Sequence, residues 1–222
     1  MTIPAPTFLD LEDWPRRATF DYFRSFDKPY FNVCTRLDVS RLKPAVADAG
    51  VGSLALASYF LAIQMANEVA SFRYRLEAGR VRIHGVVHGS TTVLRDDQSL
   101  GFARLEHAGD FAAFASGAAQ AIDAARLRSA PFEPTSEETD VIHLTTLPWI
   151  HFTSFSHARN WGQEDAIPKL AFGRIEAEGA RLWLPLSVEV HHALMDGLHL
   201  GQFIEGFEAA LADPRPWLAK RR

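Results

Sequence analysis

The stretch Arg181-Leu182-Trp183-Leu184-Pro185-Leu186-Ser187-Val188-Glu189-Val190-His191-His192-Ala193-Leu194-Met195-Asp196-Gly197 decides how the fold is read. Leu182, Leu184, Leu186, Val188 and Val190 recur at every second position, which places them on one face of an extended strand. That strand delivers two histidines to a short loop, and Asp196-Gly197 then opens a helix whose apolar stripe is Leu200, Phe203, Ile204, Phe207 and Leu211. A strand, a loop carrying two imidazoles and a capped helix follow one another without a linker.

The same two periods recur upstream. Asp13 before Trp14-Pro15-Arg16-Arg17 predicts a helix to about Arg24, with Trp14, Ala18 and Tyr22 on one face. Phe31, Val33, Thr35, Leu37 and Val39 alternate as a half-buried strand does, and Ser40 is expected to cap a short helix after it. Ser53 opens an apolar segment through Met65 that reads as a helix buried on most sides. Phe72 to Leu76 and Val81 to Ile83, separated by Glu77-Ala78-Gly79, predict a hairpin. A strand is expected around Thr91 to Leu94, a helix after Asp110, a surface loop over Ser129 to Thr139 and a strand over Val141 to Thr146. The predicted class is α/β (an α+β sandwich): a mixed β-sheet with helices packed on one side, as one domain over 1–222.

A chain of 222 residues that is 47% hydrophobic can bury one substantial core. A net charge of −4 with no basic cluster argues against nucleic-acid binding, and Lys220-Arg221-Arg222 reads as a solvated tail. One cysteine, Cys34, forms no internal disulfide, and with no signal-peptide layout the expectation is a cytoplasmic protein. The longest apolar run, Leu54 to Met65, is too short to cross a bilayer of roughly 30 Å, so no membrane is expected.

Parity puts His192 on the face of Val188 and Val190, buried or facing a cleft, where its tautomer can be controlled. On the residues alone it reads as a satisfied core histidine, a metal ligand or a base. His191, His192, Asp196 and His199 are acceptable zinc ligands by type, but adjacent strand residues point to opposite faces, so no metal is expected.

The run Pro185 to His199 resembles the HHxxxDG signature of the chloramphenicol acetyltransferase family, with the strand that precedes it. Trp14-Pro15-Arg16-Arg17, Leu37-Asp38-Val39 and Leu147-Pro148-Trp149-Ile150-His151-Phe152-Thr153-Ser154-Phe155 resemble further family segments, in the family's order. The resemblance implies a homotrimer with sites between subunits, acetyl-CoA as co-substrate and a small-molecule hydroxyl acceptor. It makes His192 the general base, with Nδ1 held by the residue's own carbonyl. Asp196 and Arg16 form an ion pair that fixes the loop, and Thr145 stands where the family has an oxyanion-stabilising serine. A strand threonine chosen for β-propensity is the other reading of Thr145.

The resemblance also assigns pocket positions. Phe31 retains an aromatic acceptor wall, whereas Phe23 replaces a tyrosine that holds the drug, Asp27 an apolar residue and Ala171 a threonine that positions water. Trp149 matches a tryptophan beside the pantetheine channel, and Arg174 stands where a lysine often meets a coenzyme phosphate. These changes leave a different alcohol as acceptor, a thiol acceptor as in the related dihydrolipoyl acyltransferase core, or a non-catalytic drug- or acyl-CoA-binding relative as alternatives. In the shared site His192 of one subunit is expected to face Thr145 and Phe31 of the next. Phe152, Phe155, Trp161 and Phe172 read as apolar surplus for an interface, or as residues that complete the core.

Overall fold

The computed structural model describes residues 7–127, 138–159 and 165–219. Trp161, most of the expected 129–139 loop and the Lys220-Arg221-Arg222 tail lie outside them. In chain order the elements are β1 (Thr7–Phe8), α1 (Arg17–Phe23), β2 (Tyr30–Asp38), α2 (Leu42–Ala49), α3 (Leu54–Glu68), β3 (Tyr74–Glu77), β4 (Arg80–Ile83), β5 (His88–Leu94) and β6 (Leu100–Leu105). They continue with α4 (Phe111–Leu127), β7 (Val141–Thr146), β8 (Lys169–Phe172), β9 (Glu176–Glu178), β10 (Arg181–His191), α5 (Gly197–Ala212) and α6 (Arg215–Leu218).

A mixed sheet runs in the order β2-β10-β8-β7-β5-β6, with β9 also on β10, and a second sheet runs β1-β4-β3. Its β5–β7 and β7–β8 pairs are parallel, and the rest are antiparallel. Leu184, Leu186, Val188 and Val190 of β10 are all buried in one core with Phe60 and Ile63 of α3 and with Phe203 and Phe207 of α5. Burying each such side chain contributes about 1.5–3 kcal/mol, which makes β10 the spine of the molecule. No single helix among the described residues is long and apolar enough to cross a membrane.

The opposite face of β10 is polar, yet it too is buried. Ser187 Oγ accepts from Asn32 Nδ2 at 2.7 Å, and Glu189 Oε1 accepts from Arg159 Nε at 2.7 Å. Arg159 and Lys169 also meet Asp165 at 2.9 and 2.8 Å. Buried charges persist only when paired in this way.

Several local expectations need correction. α1 begins at Arg17 without a side-chain cap; Asp13, Ala18 and Tyr22 are exposed, and Phe20 is the residue turned inward. Ser40 does not cap α2. Its hydroxyl donates to Asp38 and accepts from the Leu182 N–H at 2.8 Å, tying the end of β2 to β10. β1, β6, β8, β9 and α6 were not anticipated. Ser53 does cap α3, accepting from Leu56 N at 3.2 Å.

Candidate active site

The loop after β10 is clamped from three directions. The His192 N–H donates to the Pro29 carbonyl at 2.6 Å. Arg16 lays one guanidinium across the loop: Nε donates to Asp196 Oδ2 at 3.3 Å, Nη1 to the Ala193 carbonyl at 3.2 Å and Nη2 to the His192 carbonyl at 3.3 Å. Asp196 uses its second oxygen to cap α5, accepting from Leu198 N at 3.1 Å. His199 Nδ1 lies 2.8 Å from that oxygen and 3.2 Å from the Asp196 N–H, so its protonation decides whether it donates to the first or accepts from the second. Burial works to raise the Asp196 pKa; His199 and Arg16 outweigh it and hold the carboxyl below its ordinary value.

His192 itself is held by its ring. Nδ1 lies 3.1 Å from the Met195 carbonyl, which can only accept, so Nδ1 carries a proton and, in the neutral ring, Nε2 is the nitrogen with the lone pair. The resemblance pointed to the residue's own carbonyl for this contact; that oxygen is instead taken by Arg16. Phe23 stacks on the imidazole at 3.8 Å between centroids with planes 8° apart, and Phe31 leans on it at 4.6 Å. Tyr22 and Phe26 extend the aromatic group from Phe23, and Asp27 is exposed on the loop between them and Pro29. His191 points away into the polar layer, where burial first and Arg159 second push its pKa down to about 4.

Thr145 belongs to a second place. Sheet register aligns it with Ala171, and Ala171 with Ser187, so all three share one face. His192 lies five residues beyond Ser187, on the face of Val190 and Phe31. At roughly 3.3 Å per residue and about 4.8 Å per strand, the two side chains are separated by about 16 Å along the sheet and about 10 Å across it. They also project to opposite faces. One chain therefore does not bring His192 and Thr145 together.

Near the Thr145 end a cavity of ≈ 380 Å³ opens between α3 and the sheet, lined among others by Leu54, Tyr59, Thr146, Pro148, Phe172 and Arg174. Gly173 stands where its wall is tight. A Cβ there would sit 3.0 Å from Pro185 and 3.1 Å from the Ile150 carbonyl, crowding the turn that carries Trp149. That turn is fastened by Leu147 N to Phe172 O at 2.8 Å and Arg174 N to Ile150 O at 2.8 Å. Trp149 is 65% exposed beside it, with its carbonyl accepting from Arg174 Nη1 at 3.4 Å. Among the described residues no three His, Cys, Asp or Glu side chains gather as a metal group.

The sequence model of the chloramphenicol acetyltransferase family matches residues 5–208, nearly the whole chain. The chain belongs to the chloramphenicol acetyltransferase family. It is 31% identical over 220 residues to the chloramphenicol acetyltransferase of Streptomyces acrimycini, covering 97% of this chain and 98% of that one. It is 25% identical to chloramphenicol acetyltransferase 3 of Escherichia coli over 89% of this chain and 93% of that one. A solved chloramphenicol acetyltransferase superposes with a TM-score of 0.86 at 26% identity, covering 93% of this chain and all of that one. A dihydrolipoamide acetyltransferase of Azotobacter vinelandii shares the fold alone, with a TM-score of 0.68 at 21% identity over 91% of this chain and 88% of that one.

The site positions thus divide. His192, Arg16, Asp196, Phe23, Phe31 and Asp27 gather at one end of the sheet; Thr145, Ala171, Trp149 and Arg174 gather at the other. Phe31 touches His192 of its own chain, which corrects the expectation that it belongs to the neighbour's half. Phe172 is core and cavity wall, whereas Phe152 and Phe155 are half-buried against each other at 5.5 Å. Sequence reasoning missed Pro29, Tyr59 and Thr92. None carries a local signal, since each acts through a partner on a distant strand or helix.

Proposed function

We propose that this protein is an acetyl-CoA-dependent O-acetyltransferase that acetylates chloramphenicol, with its active site completed between the subunits of a homotrimer. His192 Nε2 takes the proton of the acceptor hydroxyl, and the freed oxygen attacks the thioester carbonyl. That attack forms the C–O bond and the tetrahedral intermediate; as the intermediate collapses the carbonyl is restored, the C–S bond breaks, and the proton passes from Nε2 to the coenzyme sulfur. An alcohol is far too weak an acid to ionise near neutrality, so a positioned imidazole is the fitting base. The observation that carries this reading is the His192 ring, with Nδ1 committed to the Met195 carbonyl and one face packed flat on Phe23.

The separation of His192 from Thr145 supports the shared site. Attack develops an oxyanion that needs a prepared donor, and the Thr145 hydroxyl of an adjacent subunit is the group assigned to it. By resemblance, Trp149 flanks the pantetheine arm of acetyl-CoA and Arg174 meets a coenzyme phosphate, while the thioester must reach the Thr145 face, opposite the cavity. The proposal includes cytoplasmic residence, in keeping with the free thiol of Cys34, and a role in antibiotic resistance.

A thiol-release assay with acetyl-CoA and chloramphenicol tests it. Stoichiometric CoA release with formation of the acetyl ester is expected. Turnover of other alcohols or of dihydrolipoamide, with none of chloramphenicol, would reassign the acceptor. Binding without thiol release would make the protein a sequestering relative. The different-alcohol reading draws on Phe23, which offers no hydroxyl beside the base, and on the exposed carboxylate of Asp27.

A further inference from the structure

A threonine hydroxyl has one proton to give. If Thr145 is to donate to an oxyanion, that proton must stay free, and any neighbour within hydrogen-bond range must meet its lone pairs instead. Thr92 Oγ1 lies 2.7 Å from Thr145 Oγ1. The pair follows from sheet register: β5 and β7 run parallel with Thr91 beside Leu144, so the next residues on each strand stand side by side. Both are half-buried, and Phe102 flanks Thr92 across β6. On the opposite face Thr146 is already engaged, its Oγ1 2.7 Å from the Tyr59 hydroxyl. The two adjacent threonines are thus tethered to different partners.

We propose that Thr92 is a positioning residue that donates its hydroxyl proton to Thr145 Oγ1, selecting the Thr145 rotamer and reserving the Thr145 proton for the oxyanion. The inference rests on the reading of Thr145 as oxyanion donor. With the bond reversed, Thr145 would spend its proton on Thr92 and have none for the intermediate. The methyl group of threonine restricts χ1 to few wells, so one hydrogen bond is enough to choose among them.

A double-mutant cycle tests it on the intact oligomer. Thr145→Ala is expected to lower kcat about 10²–10³-fold, the usual cost of one oxyanion donor. Thr92→Val, close to isosteric, is expected to lower kcat about three- to tenfold with both KM values within about twofold, and Thr92→Ser to restore it. In the Thr145→Ala background Thr92→Val should cost nothing further, because its only route to the reaction is gone. Unchanged kcat in Thr145→Ala would refute the oxyanion reading, and the inference with it. A crippled Thr145→Ala with unaffected Thr92→Val, an equal Thr92→Val loss in both backgrounds, or no rescue by serine would overturn the inference alone. Thermal unfolding of each variant separates misfolding from misplacement, and Thr92→Ala, which also removes the hydroxyl, takes the place of Thr92→Val in the same cycle should the valine variant fail to fold.

Discussion

Replacing Asp196 separates what its two oxygens do. Oδ2 meets Arg16 at 3.3 Å with side-chain exposures of 14% for the arginine and 37% for the aspartate, so the loss of about 3–5 kcal/mol seen for fully buried pairs does not apply. A partly wet pair is worth about 0.2–1 kcal/mol. Oδ1 caps α5, a bond worth about 1 kcal/mol that asparagine preserves and alanine deletes. Asp196→Asn should therefore cost under about 1 kcal/mol and Asp196→Ala about 2 kcal/mol, or Tm losses of about 2–4 and 4–8 °C. Activity should fall much further than stability. The same guanidinium holds the His192 and Ala193 carbonyls, and a shift of about 1 Å in a base costs on the order of a hundredfold. The assay is kcat/KM by thiol release beside calorimetric Tm for both variants. An Asp196→Asn enzyme within about threefold of the parent, or one as destabilised as Asp196→Ala, would refute the division of roles.

His192→Ala should lose about 10²–10⁴-fold in kcat with acetyl-CoA affinity and Tm nearly unchanged, read by thiol release, isothermal titration and calorimetry. Phe23→Leu should lower kcat and leave acetyl-CoA KM alone, because it frees the imidazole stacked at 3.8 Å; an unchanged kcat would show that the Met195 contact orients the ring unaided. His84, His143, His157 and His191 have pKa values pushed down to about 4, chiefly by burial, against about 6.5 when unfolded. Between those values the unfolded chain binds more protons, so stability present above pH 6.5 is lost as pH falls toward 4. Urea midpoints should be lower at pH 5 than at pH 7, and an equal or higher midpoint at pH 5 would show these histidines are not held neutral.

The spine of the fold was legible because β10 alternates without a break and α5 carries its own cap and apolar stripe. β6 and β9 were not. Leu100-Gly101-Phe102-Ala103-Arg104-Leu105 has only its spacing to mark it, and β9 has three residues that exist as a strand through their partner. Burial of the polar face of β10 was equally hidden, since alternation says which side is apolar and nothing about Arg159 and Asp165 folding over the other. The site was legible in its residues and illegible in its arrangement. A linear motif names His192, Asp196 and Arg16, whereas the distance from His192 to Thr145 depends on the register of three strands. The same holds for Thr92, which reads as an ordinary strand threonine until β5 is laid beside β7.

The shared site is tested most directly by mixing two defective subunits. His192→Ala and Thr145→Ala chains, unfolded together at equal amounts and reassembled, should form cyclic trimers in which each site draws its base from one chain and its hydroxyl from the next. Random assembly gives about one site in four both native groups, so activity should return to about a quarter of the parent's. Activity no higher than the mean of the two separate variants, in mixed trimers verified by native mass spectrometry, would contradict a site built across the subunit boundary.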